Sequence, residues 1–221
     1  MLMDGKELAR DIKAKIKAEI DDIKRIYNVN PTVASILVGD DQASQVYLNS
    51  QIKSYQDLGI GVQKYFFSKE ISEAYLLNLI DKLNKDTEID GIMINLPLPP
   101  QISATKVLNR IKLIKDVDGF KAENLGLLFQ NNEDFISPST PAGIMALIEG
   151  YKIDLEGKDV VVVGRSNIVG KPVAALVLNS HGTVTICNSH TRNLAEKTKN
   201  ADVLISAVGK PKFITEDMVK E

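Results

Sequence analysis

The sequence is poor in the residues that build covalent and metal scaffolds: among 221 residues there is one cysteine, Cys187, and there are two histidines, His181 and His190. A single cysteine excludes an internal disulfide and fits a reducing compartment, so a cytoplasmic location is expected. Cys187 lies in an apolar stretch and reads as a small buried side chain. Neither histidine has a partner at ligand spacing, so no metal site is expected. An excess of one charge is also lacking. The 27 Lys and Arg against 29 Asp and Glu leave a formal net charge of −2, which offers no basic surface to nucleic acid. No apolar run approaches the roughly 20 residues of a membrane span, so no membrane partner is expected. The start, Met1-Leu2-Met3-Asp4, lacks the apolar core of a signal peptide. Internal repeats and low-complexity segments are absent. What remains, 44% hydrophobic and 25% charged residues, permits a soluble enzyme with one large or two small cores.

Hydrophobic periodicity organises the first half. Leu8, Ile12, Ile16, Ile20, Ile23 and Ile26 recur at intervals of four and three, the pattern of a long amphipathic helix. A strand is expected over Thr32–Val38, a helix over Gln42–Leu58, a strand over Val62–Phe67, a helix through Tyr75 to Leu83 and a strand over Gly91–Ile94. Strands alternating with helices imply an α/β fold with a parallel sheet covered on both faces, and ligands in such sheets bind beyond the C-terminal strand ends. After Phe120 the chain reads as irregular, and Ser137-Pro138-Ser139-Thr140-Pro141 suggests a connection between two domains. The expected domains are therefore 1–138 and 139–221, with a helix from Pro141 to Gly150 opening the second.

The second domain holds the strongest single motif. Val160–Val163 is a continuous apolar run, as in a parallel strand buried on both faces, and it enters the turn Gly164-Arg165-Ser166-Asn167-Ile168-Val169-Gly170-Lys171-Pro172. A helix carrying Ala174, Leu176, Val177 and Leu178 follows, whose first N–H groups would favour an anion. The two glycines are six positions apart, which departs from the common Gly-x-Gly-x-x-Gly spacing, and an ordinary strand-to-helix turn stays open on spacing alone. In dinucleotide folds an acidic residue about 20 positions later bonds the ribose 2′-hydroxyl of NAD. Here the second strand, Thr183–Cys187, is followed by Asn188-Ser189-His190-Thr191-Arg192, with no carboxylate. A 2′-phosphate would be tolerated, Arg165 and Ser189 could bind it, and NADP is expected over NAD. A third strand over Val203–Ser206 completes the unit.

Three segments fall where the first sheet's strands should end. Ser44, Tyr47 and Gln51 are spaced i, i+3 and i+7, which puts a hydroxyl, a flat ring and an amide on one helix face. Asn95-Leu96-Pro97-Leu98-Pro99-Pro100 follows a buried strand, the prolines stiffening a wall and Asn95 pointing from its rim. Lys115-Asp116-Val117-Asp118-Gly119-Phe120 reads as a turn with two carboxylates. Taken singly, each is as readily an exposed tyrosine stripe, a proline-rich loop or an acidic surface turn.

Together with Val38-Gly39-Asp40-Asp41, Thr140-Pro141-Ala142-Gly143, the Gly164 turn and Ile205-Ser206-Ala207-Val208-Gly209-Lys210-Pro211, these segments stand in an order that resembles the methylenetetrahydrofolate dehydrogenase/methenyltetrahydrofolate cyclohydrolase family. The resemblance spans nearly the whole chain. It implies an N-terminal folate-site domain, a C-terminal Rossmann-like NADP-binding domain, a cleft between them and a homodimer acting on tetrahydrofolate derivatives. It makes Tyr47 the ring that packs on the folate and Asp118 the carboxylate that grips the pterin edge, with Ser44, Leu96 and Pro97 lining the substrate. Gly164, Arg165, Ser166, Gly170 and Ser189 fall on cofactor positions.

The chain departs from the family at catalytic positions. Where the resemblance places a lysine, four residues after the tyrosine, this chain has Gln51. Glutamine exchanges no proton near neutral pH. Lys53 lies about 200° around the helix and should not substitute. The glutamine said to support that lysine is Asn95 here, and the cysteine before Thr-Pro is Ser139. Oxidation of 5,10-methylenetetrahydrofolate moves a hydride and no proton, whereas hydrolysis of the methenyl cation needs general acid–base help worth about 10² to 10⁴ in rate. The expectation is a dehydrogenase with weak or absent cyclohydrolase activity. The family also continues past the position of Glu221 with another strand, a Pro-Gly-Gly loop and a helix, so the cofactor domain is expected to be short at its C-terminal end. Two other readings stay open: a two-domain dehydrogenase of shikimate or amino-acid type, and a catalytically silent folate- or nucleotide-binding protein.

Overall fold

The computed structural model describes residues 2–39, 42–132 and 134–220, with side chains 42–44 excepted. The chain parts into two compact α/β units, Asp4–Val117 and Asp118 onward.

In the first unit the helix α1 (Gly5–Tyr27) is capped by Asp4, whose carboxylate accepts from the Lys6 and Glu7 N–H groups, and it ends where Asn28 turns left-handed. The strands β1 (Thr32–Val38), β2 (Gly61–Phe67) and β3 (Gly91–Ile94) form a parallel sheet in the order β2-β1-β3. Period-two alternation sends β1 side chains to both faces. Ala34, Ile36 and Val38 pack with Leu76 and Ile80 of α3 (Glu73–Lys85) and with Val107 of α4 (Ala104–Arg110). Val33 and Leu37 pack with Leu48 and Ile52 of α2 (Gln42–Asp57) and with Met93. Both faces are thus covered, as the continuous apolar strands require. Beyond β3, Asp116 makes a parallel bridge to Ile92, so the chain reaches Val117 running toward the sheet's C-terminal edge.

The α3–α4 pair is fastened by acid groups. Glu73 accepts from the Ser103 N–H at 2.7 Å and from Lys106 Nζ at 2.9 Å, and Asp81 takes two bonds of 2.6 Å from Arg110. The Ser103 N–H and then Lys106 hold the Glu73 carboxyl below its ordinary value of 4.5, and Arg110 holds Asp81 below 3.8. A depressed folded pKa contributes stability that is present above the unfolded value and lost as pH falls through the folded one. The urea midpoint should therefore begin to fall below about pH 4.5. Glu73→Gln with Asp81→Asn should flatten that fall, and identical pH profiles for the parent and this variant would remove the two carboxylates as its cause.

In the second unit β4 (Asp159–Val163), β5 (Thr183–Cys187) and β6 (Val203–Ser206) form a separate parallel sheet, ordered β5-β4-β6. Val160 and Val162 pack with Ile148 of α6 (Ser139–Gly150) and with Val173, Ala174 and Val177 of α7 (Gly170–Asn179). On the opposite face Val161, Val163 and Cys187 pack with Ala201 and with Leu194 of α8 (Leu194–Lys199). Cys187 is fully buried, as expected of a packing residue.

The segment after Phe120 is not irregular throughout. A helix, α5 (Ala122–Phe129), occupies it, and buried Asn124 accepts the Ile136 N–H at 3.0 Å, which ties Ile136 back to the helix. Asn179 Nδ2 donates to the Leu128 carbonyl at 2.8 Å and ties α5 to α7. These bonds gather residues 118–138 with the second unit, so the compact units part about 20 residues before the break read from the proline and polar clusters.

Candidate functional site

The Gly164 turn lies between the C-terminal ends of β5 and β6. Gly164 N–H donates to Cys187 O and Ala207 N–H to Val163 O, both at 2.8 Å. Gly164 has φ +132°, and a Cβ there would overlap the Ala207 carbonyl oxygen. At Gly170 a Cβ would overlap the Gly164 carbonyl and crowd the Arg165 N–H. The six-residue spacing follows from these contacts: one glycine lets the turn lie on the β6 loop, and the other lets α7 begin on top of the turn.

Ser166 has a structural task that spacing did not reveal. Its hydroxyl accepts from the Val169 N–H at 3.1 Å and the Gly170 N–H at 3.3 Å, while its carbonyl accepts from Lys171 N–H at 3.0 Å. Pro172 has no N–H to offer. The first N–H groups of α7 are therefore used within the turn in this structure, in place of the expected array facing an anion. Arg165 is exposed and makes no ion pair among the described residues.

Register carries Arg165 and the loop after β5 together, since Val163 pairs with Cys187 and parallel neighbours lie about 4.8 Å apart. That loop is a closed turn: Asn188 N–H donates to Thr191 Oγ1 at 2.8 Å, Thr191 N–H to Asn188 O at 2.9 Å and His190 N–H to Asn188 Oδ1 at 3.0 Å. Ser189 stands exposed at its tip, and the loop has no carboxylate. A free guanidinium, an exposed hydroxyl and no opposing acid fit a phosphate monoester on a ribose.

In the first unit α2 rises from the C-terminal edge of the sheet. Leu48 and Ile52 anchor it, and Tyr47 on another side is 61% exposed. Asp40, Asp41 and the side chain of Ser44 lie outside the described residues. Gln51 is half-buried, and its Oε1 is sealed from solvent with no hydrogen-bond partner. Lys53, by contrast, points outward, 77% exposed, with Nζ 3.9 Å from Asp57. It does not replace a lysine at position 51.

Asn95 differs from the expected rim residue. It is only 8% exposed, and its Nδ2 turns back onto β1, donating to Ile36 O at 3.1 Å and lying 3.5 Å from Ser35 Oγ. The amide is occupied by the sheet and makes no bond to Gln51. Leu96 is partly buried and Pro97 exposed, joined by a cis peptide, while Leu98 packs on the core.

The segment read as a turn with two carboxylates also divides. Asp116 is buried at the bridge to Ile92, while Asp118 is partly exposed and engaged in an interaction of its own. Lys115 Nζ donates to Leu83 O at 2.8 Å and Asp86 O at 2.6 Å, closing the C-terminal end of α3. Burial and then Lys112 push its ammonium below the ordinary lysine value. Asn84 holds the same strip, donating to Arg110 O and accepting from Lys112 N–H. Sequence reasoning passed over Lys115 and Asn84 as anchors because their partners are backbone carbonyls and amides about 30 residues away, which leave no local pattern. Among the described residues no cluster of three or more His, Cys, Asp or Glu could hold a metal.

Comparison with known proteins places these features in one group. The catalytic-domain model of tetrahydrofolate dehydrogenase/cyclohydrolase matches residues 3–118, and the NAD(P)-binding-domain model of the same group matches residues 138–221. The chain is 88% identical over 221 residues to a bifunctional protein FolD of Fusobacterium nucleatum, covering 100% of this chain and 78% of that one. The crystal structure of a bifunctional FolD methylenetetrahydrofolate dehydrogenase/cyclohydrolase from Campylobacter jejuni superposes with a TM-score of 0.97 at 42% identity, covering 100% of this chain and 78% of that one. A methylenetetrahydrofolate dehydrogenase-cyclohydrolase from Trypanosoma brucei, complexed with NADP and an inhibitor, gives a TM-score of 0.95 at 29% identity, covering 100% and 75%. The parallel sheets, the glycine turn and the ordered motifs thus have one common source: the chain belongs to the tetrahydrofolate dehydrogenase/cyclohydrolase family.

Proposed function

We propose that this protein oxidises 5,10-methylenetetrahydrofolate to 5,10-methenyltetrahydrofolate with NADP, and that its hydrolysis of the methenyl product is weak or absent. Family membership supports the dehydrogenase, and the observation that carries the imbalance is Gln51 in the place of a titrating lysine. Tyr47 supplies a flat apolar face for the folate, and Asp118 supplies a carboxylate to two N–H donors of the pterin edge. Leu96 and Pro97 form a stiff wall at the end of β3, and the Ser44 hydroxyl belongs to the same substrate set. Arg165 and Ser189 would hold the 2′-phosphate of NADP, while Gly164 and Gly170 let the turn pack on the β6 loop and on the start of α7 and Ser166 keeps the turn closed. Bound there, NADP supplies the nicotinamide ring that accepts a hydride.

The residues of the chain divide the two reactions by their protons. Hydride loss from the one-carbon bridge needs alignment and a favourable field, with no proton to move. Ring opening of the methenyl cation needs a water deprotonated and a nitrogen protonated, and neither Gln51 nor the buried amide of Asn95 can exchange a proton near neutral pH. The domains proposed are 1–138 for the folate and 139–221 for NADP. A cytoplasmic homodimer without a nucleic-acid or membrane partner completes the reading; no helix among the described residues is long and apolar enough to cross a membrane.

Paired spectrophotometric assays on one preparation test the proposal, with NADP and then with NAD. Hydride transfer should be robust with NADP and outrun methenyl hydrolysis by at least about 10²-fold. Comparable rates for the two reactions would sink the imbalance, and folate and NADP binding with no turnover would favour the silent binder.

A further inference from the structure

An exposed side chain keeps one direction only if the backbone beneath it does, and loop tips are ordinarily the loosest part of a fold. Ser189 stands on such a tip, between β5 and α8. Its two flanking residues clasp each other beneath it: Asn188 N–H donates to Thr191 Oγ1 at 2.8 Å, and Thr191 N–H donates to Asn188 O at 2.9 Å. Asn188 Oδ1 also accepts the His190 N–H at 3.0 Å, so the turn over residues 188–191 is closed. Asn188 and Thr191 are partly buried, while Ser189 and His190 are exposed. The inner pair shapes what the outer pair presents.

The stem of the loop is fixed as well. Val163 pairs with buried Cys187, whose carbonyl accepts the Gly164 N–H at 2.8 Å, so the Gly164 turn and the loop after β5 leave the sheet from one pairing. Arg165 and Ser189 each lie two residues past it. On the Arg165 side the backbone is held by the Ser166 hydroxyl, which accepts from Val169 and Gly170. On the Ser189 side the corresponding hydroxyl is that of Thr191. Without it the Asn188 N–H, in a partly buried place, loses its acceptor, and an unmet donor there favours an opened loop.

We infer that Thr191 is a positioning residue for cofactor choice: its hydroxyl closes the loop that presents Ser189 to the 2′-phosphate of NADP, an inference that rests on the reading of Arg165 and Ser189 given above. Thr191 itself touches no cofactor in this account. A donor already held in its binding direction loses less freedom when its ligand arrives, so the closed loop strengthens the phosphate contact. NAD has no such phosphate, and a loosened tip should therefore weaken NADP alone.

Equilibrium titration with NADP and with NAD tests this without turnover. Thr191→Val keeps the shape and removes the acceptor, so the ratio of NADP to NAD affinity should fall about three- to tenfold, the effect of one hydrogen bond. Thr191→Ser keeps the hydroxyl and should hold the ratio near that of the parent. Ser189→Ala should lower the ratio too, and adding Thr191→Val to it should lower it no further, because the group that the loop directs is gone. Three results overturn the inference: a ratio unchanged in Thr191→Val while Ser189→Ala lowers it, equal losses of both cofactors in Thr191→Val, or full additivity in the double variant. The second of these is what a merely structural role would give. A ratio unchanged in Ser189→Ala would instead overturn the reading of Ser189 as a phosphate ligand.

Discussion

Gln51→Lys should raise methenyl hydrolysis by about 10² to 10⁴, the range over which a positioned acid–base group acts. The structure adds a reason for the upper part of that range. The Gln51 side-chain oxygen is sealed from solvent, so an amine placed there loses hydration, and desolvation lowers a lysine's pKa toward the region where it can take a proton from water. The cost is borne by the charged form alone. The gain should therefore follow a pH profile that rises through the lowered pKa of the new amine.

Asn95 sets a limit on the single variant. Its amide is committed to the Ile36 carbonyl, so it cannot hold a new lysine in place. Asn95→Gln lengthens the side chain by one methylene, which frees the amide to extend past β1. The double variant Gln51→Lys with Asn95→Gln should exceed the single one. Measured with purified methenyltetrahydrofolate and corrected for its spontaneous hydrolysis, no gain in either variant would refute the proposal that position 51 limits hydrolysis.

The strands were the legible part of the fold. Thr32–Val38, Gly91–Ile94, Thr183–Cys187 and Val203–Ser206 are runs of β-branched and apolar residues bounded by polar or glycine turns, and the structure starts and stops them where the composition changes. The short helices α4, α5 and α8 were not legible. With six to eight residues each they are too short to display a helical period, and tertiary bonds hold α4 and α5: Glu73 meets the start of α4, and Asn124 folds the chain back onto α5.

The site divides along the same physical line. That the Gly164 turn should need glycines was readable, because backbone contact leaves a residue-type signature. The capping role of Ser166, the burial of Asn95 and the unpaired oxygen of Gln51 were not, since each depends on what the chain brings to the residue from afar. α1 shows the limit of periodicity from the other side. Its isoleucines repeat at three and four, yet only Ile20 is buried and Ile16, Ile23 and Ile26 remain exposed. A helical period fixes which side chains share a face; it does not say what covers that face.

Arg165→Ala should lower kcat/KM for NADP by about 10- to 100-fold, because a charge-assisted hydrogen bond is worth roughly 1.5–3 kcal/mol. The value with NAD should hardly move. The difference between the two cofactors is one phosphate, and Arg165 is a cation at the turn with no ion-pair partner among the described residues, while the loop beside it carries no acid. Solvent exposure of the guanidinium implies screening, so the NADP preference of the parent should shrink as ionic strength rises, and the variant should lack that dependence. Ser189→Asp supplies the missing carboxylate at the tip of the loop, where it would repel a 2′-phosphate and accept from a 2′-hydroxyl. Combined with Arg165→Ala it should carry the preference over to NAD. Two results would count against this account. Tighter binding of NAD than NADP by the parent removes its premise. Equal losses with both cofactors in Arg165→Ala would place the guanidinium on a group they share, leaving the 2′-phosphate to some other residue.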